Sequence, residues 1–364
     1  MQNMRLLAID VGAGTQDIFL YDSNQEIGNS VKAVLPSQSN LMATEVEKHT
    51  KQKMNIVVYG ETMGGYPFGS AIKKHLAAGL KVAMTSKAAR TLRDKLEVVK
   101  AMNIKIISDV VIAELIAAGY SAIKVGDLNL ASLEQAFAHF GISFQSIDYL
   151  GVAVQDHGNP PKGMSERVFR FENLLKPGID AGGDILDFSY LTEQVPTEFT
   201  RMCAVERLIM ESGYKGLVMD TGPAVLFGAL EDEYLKTKNL IGVLNFGNQH
   251  TLGGIFDKGR LIAVYEHHTG LVNGSQAEEY LFALADGTLT NEEIFENHGH
   301  GAYASEVVGS DNLDALTVLG PQKHTKSVSF KNKFHHAAPF GDQMMAGPAG
   351  LVVVANKLIN QPNS

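Results

Sequence analysis

The segment LLAIDVGAGTQDIFLYD, residues 6–22, decides the fold. A short apolar run ends at Asp10, a glycine-rich turn follows, and a second run of apolar and aromatic residues completes the segment. This pattern predicts a β-hairpin whose tip binds phosphate. Gly12 and Gly14 lack a Cβ, so an anion can approach their backbone N–H groups closely. Thr15 adds a hydroxyl donor, and Asp10 is a candidate ligand for a Mg²⁺ ion that bridges phosphates.

Two other nucleotide-binding loops contain similar glycines. A P-loop requires a lysine directly after its last glycine, and no lysine follows the glycines of this segment. A dinucleotide-binding loop requires the pattern GxGxxG at the start of a helix. Here Asp17 occupies the third glycine position, and residues 18–21 favour a strand over a helix. We therefore interpret the segment as a phosphate-binding hairpin, with a dinucleotide loop and an ordinary tight hairpin as open alternatives.

Composition limits the function further. The 364 residues suffice for two domains and a large core. The formal net charge is -9 and there is no long basic run, so we expect no nucleic-acid binding. No signal-peptide pattern is visible and no apolar run approaches ~18 residues, so we expect no membrane association and a cytoplasmic location. Cys203 is the single cysteine, which excludes an internal disulfide and a cluster held by cysteines of one chain.

The order of elements predicts an α/β fold. Strand and helix patterns alternate over residues 55–154, which indicates a mostly parallel sheet. Residues 85–102 read as one long helix, and residues 158–196, rich in glycine and proline, as an irregular exposed excursion. The segment LIGVLNFGNQHTLGGIF, residues 240–256, together with the turn and strand after it, repeats the layout of residues 5–34. The repeat predicts two related halves whose hairpins face each other across a cleft.

Three short motifs resemble the actin, Hsp70 and sugar-kinase superfamily of ATP-binding proteins. AIDVGAGT, residues 8–15, is similar to its phosphate-1 hairpin, and LNFGNQHT, residues 244–251, is similar to its phosphate-2 hairpin. MDTG, residues 219–222, followed by a helix, resembles the hexokinase layout, in which the aspartate is the catalytic base.

The resemblance implies a fold of two actin-like (RNase H-like) α/β domains with a nucleotide cleft between them. Residues 1–235 would form the N-terminal domain, with an insertion at about 60–200 that has no clear match to a characterised member. Residues 236–364 would form the C-terminal domain. These limits are a prediction from three motifs at the two ends of the chain.

The resemblance also implies ATP and Mg²⁺ as cofactors. The nucleotide-binding residues expected on this basis are Asp10, Gly12, Gly14, Thr15, Asn245, Gly247, Asn248, His250 and Thr251, with Asp10 as the metal ligand. The expected catalytic residues are Asp220, Asp156 and His157, since each follows an apolar strand where α/β sites usually lie. For either aspartate, a helix cap or turn is the structural alternative.

Two departures from the superfamily pattern stand out. Asn245 replaces the usual aspartate of phosphate-2, which weakens the case for a metal contact from that side. The glycine pair that binds adenosine is absent in clear form, and residues 319–321 or 346–350 are its candidate replacements.

The chain also resembles an uncharacterised prokaryotic family labelled as pyruvate formate-lyase activating enzyme, through residues 155–158, 245–251 and 266–270. That label implies radical chemistry on an iron–sulfur cluster with three cysteine ligands. Cys203 alone cannot supply them, so we do not expect a radical SAM activity.

Histidines support a different class of site. Six of them lie beside glycines or at predicted strand ends: His157, His250, His267, His268, His298 and His300. Neutral imidazoles bind Zn²⁺ and Fe²⁺, and Asp156 or Glu266 could complete such a site. The adjacent His267 and His268 would point to opposite faces of a strand, so one site could not easily use both. Hydrogen bonding near a bound phosphate is the alternative role for His250.

The sequence therefore predicts a Mg²⁺-dependent kinase or ATPase of the actin-like kind, acting on an unknown small molecule or partner protein. A histidine-based metal-dependent hydrolase or lyase is one alternative. A nucleotide-binding activator without turnover of its own is the other. A homodimer is compatible with the sequence.

Overall fold

The structure is a computed structural model that describes residues 3–360. Its strands are β1 (Arg5–Val11), β2 (Thr15–Asp22), β3 (Val31–Pro36), β4 (Ile56–Gly60), β5 (Val82–Thr85), β6 (Lys105–Ile107), β7 (Ser121–Val125), β8 (Tyr149–Val154), β9 (Ser189–Leu191), β10 (Lys215–Met219), β11 (Leu240–Phe246), β12 (His250–Asp257), β13 (Arg260–His268), β14 (Gly301–Ala304), β15 (Ala315–Leu319) and β16 (His335–His336).

Its α-helices are α1 (Gln38–Lys51), α2 (Phe68–Ala77), α3 (Ser86–Arg90), α4 (Leu96–Ala101), α5 (Ile112–Ala117), α6 (Leu130–Ala138), α7 (Glu166–Arg170), α8 (Lys176–Ala181), α9 (Thr200–Glu211), α10 (Thr221–Ala229), α11 (Gly274–Ala285), α12 (Asn291–Glu296), α13 (Lys323–Ser327) and α14 (Ala346–Asn360). A π-helical turn over Phe171–Leu175 joins α7 to α8. Among the described residues, no helix is both long enough and apolar enough to cross a membrane.

Two six-stranded sheets share one plan. Their orders are β3-β2-β1-β8-β10-β9 and β14-β13-β12-β11-β15-β16. In the first sheet β1 pairs antiparallel with β2 and parallel with β8. In the second, β11 pairs antiparallel with β12 and parallel with β15. Each sheet thus places a hairpin next to a parallel strand, and the predicted α/β fold of two actin-like domains is confirmed.

The first strand shows why this sheet is the centre of its half. Leu6, Leu7, Ala8 and Ile9 are all buried, so both faces of β1 are covered. Helix α14 packs against β1 and β8. A continuous apolar run is what a strand needs when both of its faces are buried.

A third sheet, β6-β5-β4-β7, is entirely parallel and has a core of its own, which includes Val58, Phe68 and Met84. It lies between β3 and β8 in the chain, and β8 returns to the first sheet. The domain limits at residues 235 and 236 stay a prediction.

The crossing of α10 and α14 depends on two glycines. A Cβ at Gly228 would overlap the carbonyl oxygen of Ala346, and a Cβ at Gly350 would overlap that of Ala224. Glycine therefore lets the two helix backbones approach closely. This approach brings the start of α14 to the end of β1, where Gly347 packs directly on Asp10.

The prediction of a single helix over residues 85–102 is wrong. The structure has α3 and α4, separated by residues 91–95. The hydroxyl oxygen of Thr91 accepts a hydrogen bond from Met63 N (3.2 Å), and Asp94 Oδ1 accepts one from Thr200 Oγ1 (2.8 Å). Tertiary contacts of this kind override helix propensity, and they make the break part of the wall of a cavity.

The prediction of an irregular, exposed segment over residues 158–196 is also wrong for the first half of that segment. Helical structure runs from α7 through the π-helical turn to α8. Phe171 and Leu175 are buried there, together with Arg170, which is 0% exposed. Pro177 lies in the first turn of α8, directly after the π-helical turn.

We predict that Gly350→Ala destabilises the protein. Helix propensity alone would make this change favourable by up to about 1 kcal/mol. The contact with Ala224 should reverse the sign and lower the free energy of unfolding by about 1–3 kcal/mol, as overpacking does. Urea unfolding measures the effect. Gly28→Ala is the matched control, because a Cβ there meets no atom within 4 Å. A stabilised Gly350→Ala protein would contradict the close crossing of α10 and α14.

Candidate functional site

A cavity of about 490 Å³ lies between the two six-stranded sheets and the inserted sheet. Both hairpin tips line it, through Gly12 and Thr15 on one side and Gly247 and Asn248 on the other. The tips nearly touch, since a Cβ at Gly14 would lie 2.9 Å from Asn248 Nδ2. The two predicted phosphate loops therefore open into the same space.

Each of the two tips is closed by a hydrogen bond of its own, and the two bonds are equivalent. Gly12 N donates to Thr15 O, and Gly247 N donates to His250 O, both at 2.9 Å. These two amides are consumed by the turns themselves. Within the described residues, the two amides between each pair, those of residues 13–14 and 248–249, have no hydrogen-bond acceptor. They are the groups that each tip can offer to an anion.

The structure separates the expected site residues into two groups. Those that line the cavity are Asp10, Gly12, Thr15, Asp156, His157, Asn245, Gly247, Asn248 and His250. Gly14, Thr251 and Asp220 do not line it. Thr251 is fully buried, and its hydroxyl pairs with that of Thr269 at 3.0 Å, inside the second half.

Asp10 has a carboxylate neighbour that sequence reasoning missed. Asp17 stands directly opposite Asp10 in the β1–β2 pairing, and both side chains are buried and line the cavity. Asp10 Oδ1 accepts a hydrogen bond from Thr221 Oγ1 (2.7 Å), whereas Asp17 Oδ1 is buried without a partner. A hairpin drawn with its tip at residues 12–15 would have placed Asp17 opposite Asp10.

Both carboxyl groups hold protons more tightly than usual. Burial raises the pKa of Asp10 to about 7. Burial, and next the charge of Asp10, raise the pKa of Asp17 to about 8. A pair of desolvated acids, one of which has an unpartnered oxygen atom, is a site that a hard divalent cation would fit.

Asp220 and Asp156 are instead occupied by backbone amides. Asp220 Oδ1 accepts from Gly222 N (2.8 Å) and caps α10, and its Oδ2 accepts from Asp156 N (3.1 Å). Asp156 Oδ2 accepts from the first amides of α9, Arg201 N (2.8 Å) and Met202 N (2.9 Å). Burial raises the pKa of Asp156 to about 6. Asp156 Oδ1 also accepts from Gly158 N (2.8 Å). The role of catalytic base stays a prediction for both, and this geometry favours the cap or turn alternative for each.

Arg170 connects the two halves behind the cavity. Its guanidinium donates to Asp220 at the end of β10 (Nη2 to Oδ1, 2.6 Å) and forms an ion pair with Glu266 of β13. Glu266 Oε1 also accepts from Gln155 Nε2 (2.9 Å). Arg170, Asp220 and Glu266 are each 0% exposed. This charge network was not predicted, because Arg170 lies in the segment expected to be irregular.

Four histidines gather beside the second tip. The Nε2 atoms of His157 and His300 are 3.3 Å apart. The ring of His250 lies 4.8 Å from that of His300 and 5.5 Å from that of His157, and His268 lies 4.7 Å from His300. His267 faces the other way and stacks on Tyr280, as strand alternation requires.

These rings are uncharged at neutral pH. Burial lowers the pKa of His157 to about 3 and holds the pKa values of His250 and His300 well below the usual range. His250 Nδ1 lies 2.9 Å from Glu266 Oε1, although the pair lacks the angle of a hydrogen bond. Neutral imidazoles are free to act as metal ligands.

Arginines line the remaining walls. They are Arg90, Arg93, Arg167 and Arg201. Arg201 is held by Asp127 through Nε (2.7 Å) and Nη2 (2.8 Å), and Arg167 Nη1 donates to Gly299 O (2.6 Å). The cavity thus offers positive charge together with free amides, which suits an anionic ligand.

Comparison with known proteins gives one family and several distant structures. The family model described as "Putative pyruvate format-lyase activating enzyme (DUF1786)" matches residues 63–325. No curated protein matches the chain.

Three solved structures are similar along nearly their whole length. The Lmo2764 protein of Listeria monocytogenes, described as a putative N-acetylmannosamine kinase, is 12% identical, with 98% of this chain and 100% of that chain covered and a TM-score of 0.37. MreB5 of Spiroplasma citri bound to ADP is 10% identical, with 99% of both chains covered and a TM-score of 0.35. A ROK family glucokinase from Streptomyces griseus, in complex with glucose and AMPPNP, is 10% identical, with 97% and 99% covered and a TM-score of 0.34. Because these TM-scores are below 0.5, the fold assignment rests on the strand order of the two sheets.

We predict that Arg170→Leu lowers the free energy of unfolding by about 3–5 kcal/mol, because it leaves the buried carboxylates of Asp220 and Glu266 without their cation. Chemical denaturation measures the loss. Arg260→Leu, which removes an exposed arginine that also pairs with two carboxylates, should change stability little. Equal effects of the two substitutions would show that the buried network does not hold the halves together.

We also predict a pH dependence that originates at Asp10 and Asp17. Since their folded pKa values are raised, the stability they supply is complete below about pH 4 and is lost as the pH rises through about 7 and 8. Asp17→Asn should remove part of this loss, so that the variant gains stability over the parent protein above neutral pH without divalent cations. Thermal unfolding against pH measures the difference.

Asp311→Asn, at an exposed position, is the control for this pH experiment. The thermal stability of Asp311→Asn should depend on pH in the same way as that of the parent protein. Added Mg²⁺ should stabilise the parent at pH 8 more than it stabilises Asp17→Asn. The same fall in stability with pH in Asp17→Asn and in the parent would rule out the carboxylate pair as its origin.

Proposed function

The chain belongs to the DUF1786 family, and we propose that it binds ATP with Mg²⁺ in the cleft between its two hairpins and transfers or hydrolyses the terminal phosphate. The observation that carries the proposal is the meeting of the two tips. Gly12 and Gly247 close two equivalent turns around one cavity, and each turn leaves two amides free. Backbone amides in such turns bind phosphate oxygens.

Two glycine-containing segments of the cavity wall are candidates for binding the nucleoside of the ATP. Gly320 follows β15 with a φ of 97°, and a Cβ there would lie 2.5 Å from Phe246 O, so only glycine fits. Gly320 and Pro321 line the cavity, as do Ala346 and Gly347. These are the two segments that the sequence offers in place of an adenosine-binding glycine pair. We assign the nucleoside to the side of Gly320, since this residue lies beside the strand that leads into the second tip.

The carboxylates of Asp10 and Asp17 fit the metal. Their raised pKa values and the unpartnered Oδ1 of Asp17 indicate a site that lacks a positive charge. A bound Mg²⁺ ion would neutralise phosphate charge. In this proposal Thr221 orients Asp10, and Gly347 leaves room for its carboxylate.

The chain's own residues divide the remaining work. The free amides would position the phosphates, and Arg93 and Arg167 would stabilise negative charge on the ligand. Asp156 and His157 line the cavity, but the carboxylate of Asp156 already accepts three backbone amides and His157 belongs to the histidine cluster, so the identity of the base stays a prediction. Asp220 would act as a positioning residue through Arg170. The substrate, whether a small molecule or a protein, is not identified by these residues. A homodimer stays a prediction.

The activity in the family's description is not part of the proposal. Cys203 is the only cysteine, and burial raises the pKa of its thiol to about 11. A binding protein that activates a partner without turnover is the second candidate, since the same cavity could hold ATP without hydrolysing it. Steady release of ADP distinguishes an enzyme from such a protein.

We predict that ATP with Mg²⁺ raises the thermal stability of the protein. At a ligand concentration of 100 times Kd the gain is about 2.7 kcal/mol. Gly12→Ala should weaken the nucleotide at least about tenfold, because a methyl group obstructs the approach to the tip. The variant should still fold, since its Cβ meets Thr15 O at an ordinary 3.4 Å. Calorimetric titration with a non-hydrolysable ATP analogue measures both affinities.

Gly28→Ala again serves as the matched control, and it should bind the analogue like the parent protein. No binding to the parent protein, or equal binding to Gly12→Ala, would argue against a phosphate site at the tips.

A further inference from the structure

We propose that His157, His250 and His300 form a binding site for a divalent transition-metal ion, separate from the Mg²⁺ site of Asp10 and Asp17. One ring nitrogen of each histidine lies within 4.8 Å of the others. This inference goes beyond nucleotide binding and does not depend on it.

The spacing of the rings is that of a metal site. The Nε2 atoms of His157 and His300 are 3.3 Å apart. Two nitrogen ligands of a tetrahedral ion, each about 2.0–2.1 Å from the metal, are separated by about 3.3–3.4 Å. A ring nitrogen of His250 lies within 4.8 Å of the other two, so it would have to approach them by up to about 1.5 Å to complete the triangle. The cluster is thus close to the geometry that an ion requires.

The three rings are held by different parts of the fold. His157 follows β8 of the first sheet, His250 begins β12 of the second, and His300 precedes β14. The backbone of His300 is fixed by a hydrogen bond from its N–H to Glu266 O (2.8 Å). An ion bound by residues of both halves would stabilise the contact between them.

The surroundings of the rings also fit a metal. Nδ1 of His250 and Nδ1 of His300 are buried without a hydrogen-bond partner. The carboxylate of Glu266, 2.9 Å from His250 Nδ1, is placed to orient that ring, as carboxylates do behind metal-bound histidines. When Nε2 of a histidine binds the ion, Nδ1 is the nitrogen that such an outer partner takes.

The donor set selects the class of ion. Three imidazoles suit Zn²⁺, Fe²⁺, Ni²⁺ and Cu²⁺ rather than Mg²⁺ or Ca²⁺, which prefer oxygen ligands. Three protein ligands beside an open cavity leave a coordination position for water or a substrate oxygen. His250 also ends the turn of the second tip, so that this position faces the same space as the proposed phosphates.

The test uses the untagged full chain, freed of metal by a chelator and titrated with Zn²⁺. We expect one tightly bound ion per chain and a rise in thermal stability. Co²⁺ should give the visible absorption of a four-coordinate ion with nitrogen ligands. The double variant His157→Gln/His300→Gln should lose the bound ion, the spectrum and the metal-dependent rise in stability.

His139→Gln is the control, because this histidine is exposed and lies at the end of α6. It should bind Zn²⁺ and Co²⁺ like the parent protein. If the double variant does not fold, the Co²⁺ spectrum of the parent and the single variant His300→Gln decide the matter.

Failure of the parent protein to bind Zn²⁺ and Co²⁺, or equal binding by the histidine variants, would overturn the proposal and leave a hydrogen-bonded histidine cluster. Stabilisation by the ATP analogue with Mg²⁺ alone is measured in parallel. That second measurement reports on the proposed function independently, so that the two ideas can fail separately.

Discussion

The buried guanidinium of Arg170 is the constraint on which the rest of the site depends. It joins Asp220, at the end of a strand in the first sheet, to Glu266, within a strand of the second. Charges removed from water are costly unless they are paired and hydrogen-bonded, so the positions of both carboxylates are narrowly fixed. Asp220 in turn holds the amide of Asp156, and Glu266 holds the side chain of Gln155. The end of β8 is thereby fixed to both halves, and the cavity wall with it.

The buried carboxylates of this region differ in the hydrogen bonds that they already accept. Asp220 and Asp156 accept hydrogen bonds from helix amides, which is a structural use of charge. Asp10 and Asp17 face each other in the cavity, and one oxygen of Asp17 has no partner. The same contrast applies to the tips, where the first amide closes each turn and the next two are free. The groups with unused hydrogen-bonding capacity are those that indicate a ligand.

Sequence reasoning recovered the parts of the fold that are encoded locally. The two hairpins were predicted from glycines between apolar runs, and their repeated layout correctly indicated two related sheets. Most of the expected site residues line the cavity for the same reason, since each lies at or next to a hairpin tip or shortly after a strand. His157, which follows β8, and His250, at the second tip, are examples.

What the sequence did not reveal depends on long-range contacts. Arg170 was missed because only its partners, Asp220 and Glu266, distinguish it from a surface arginine. The helix predicted over residues 85–102 breaks because Thr91 bonds to a residue of a distant loop. Asp17 is an intermediate case, since the register of one hairpin suffices to place it opposite Asp10.

A crystal structure with a non-hydrolysable ATP analogue and Mg²⁺ tests most directly whether the two tips act on one polyphosphate. The account predicts that the amide of Ala13 and the amides of residues 248–249 donate to phosphate oxygens of the same molecule. An analogue bound by one tip alone, or bound outside the cavity, would contradict it.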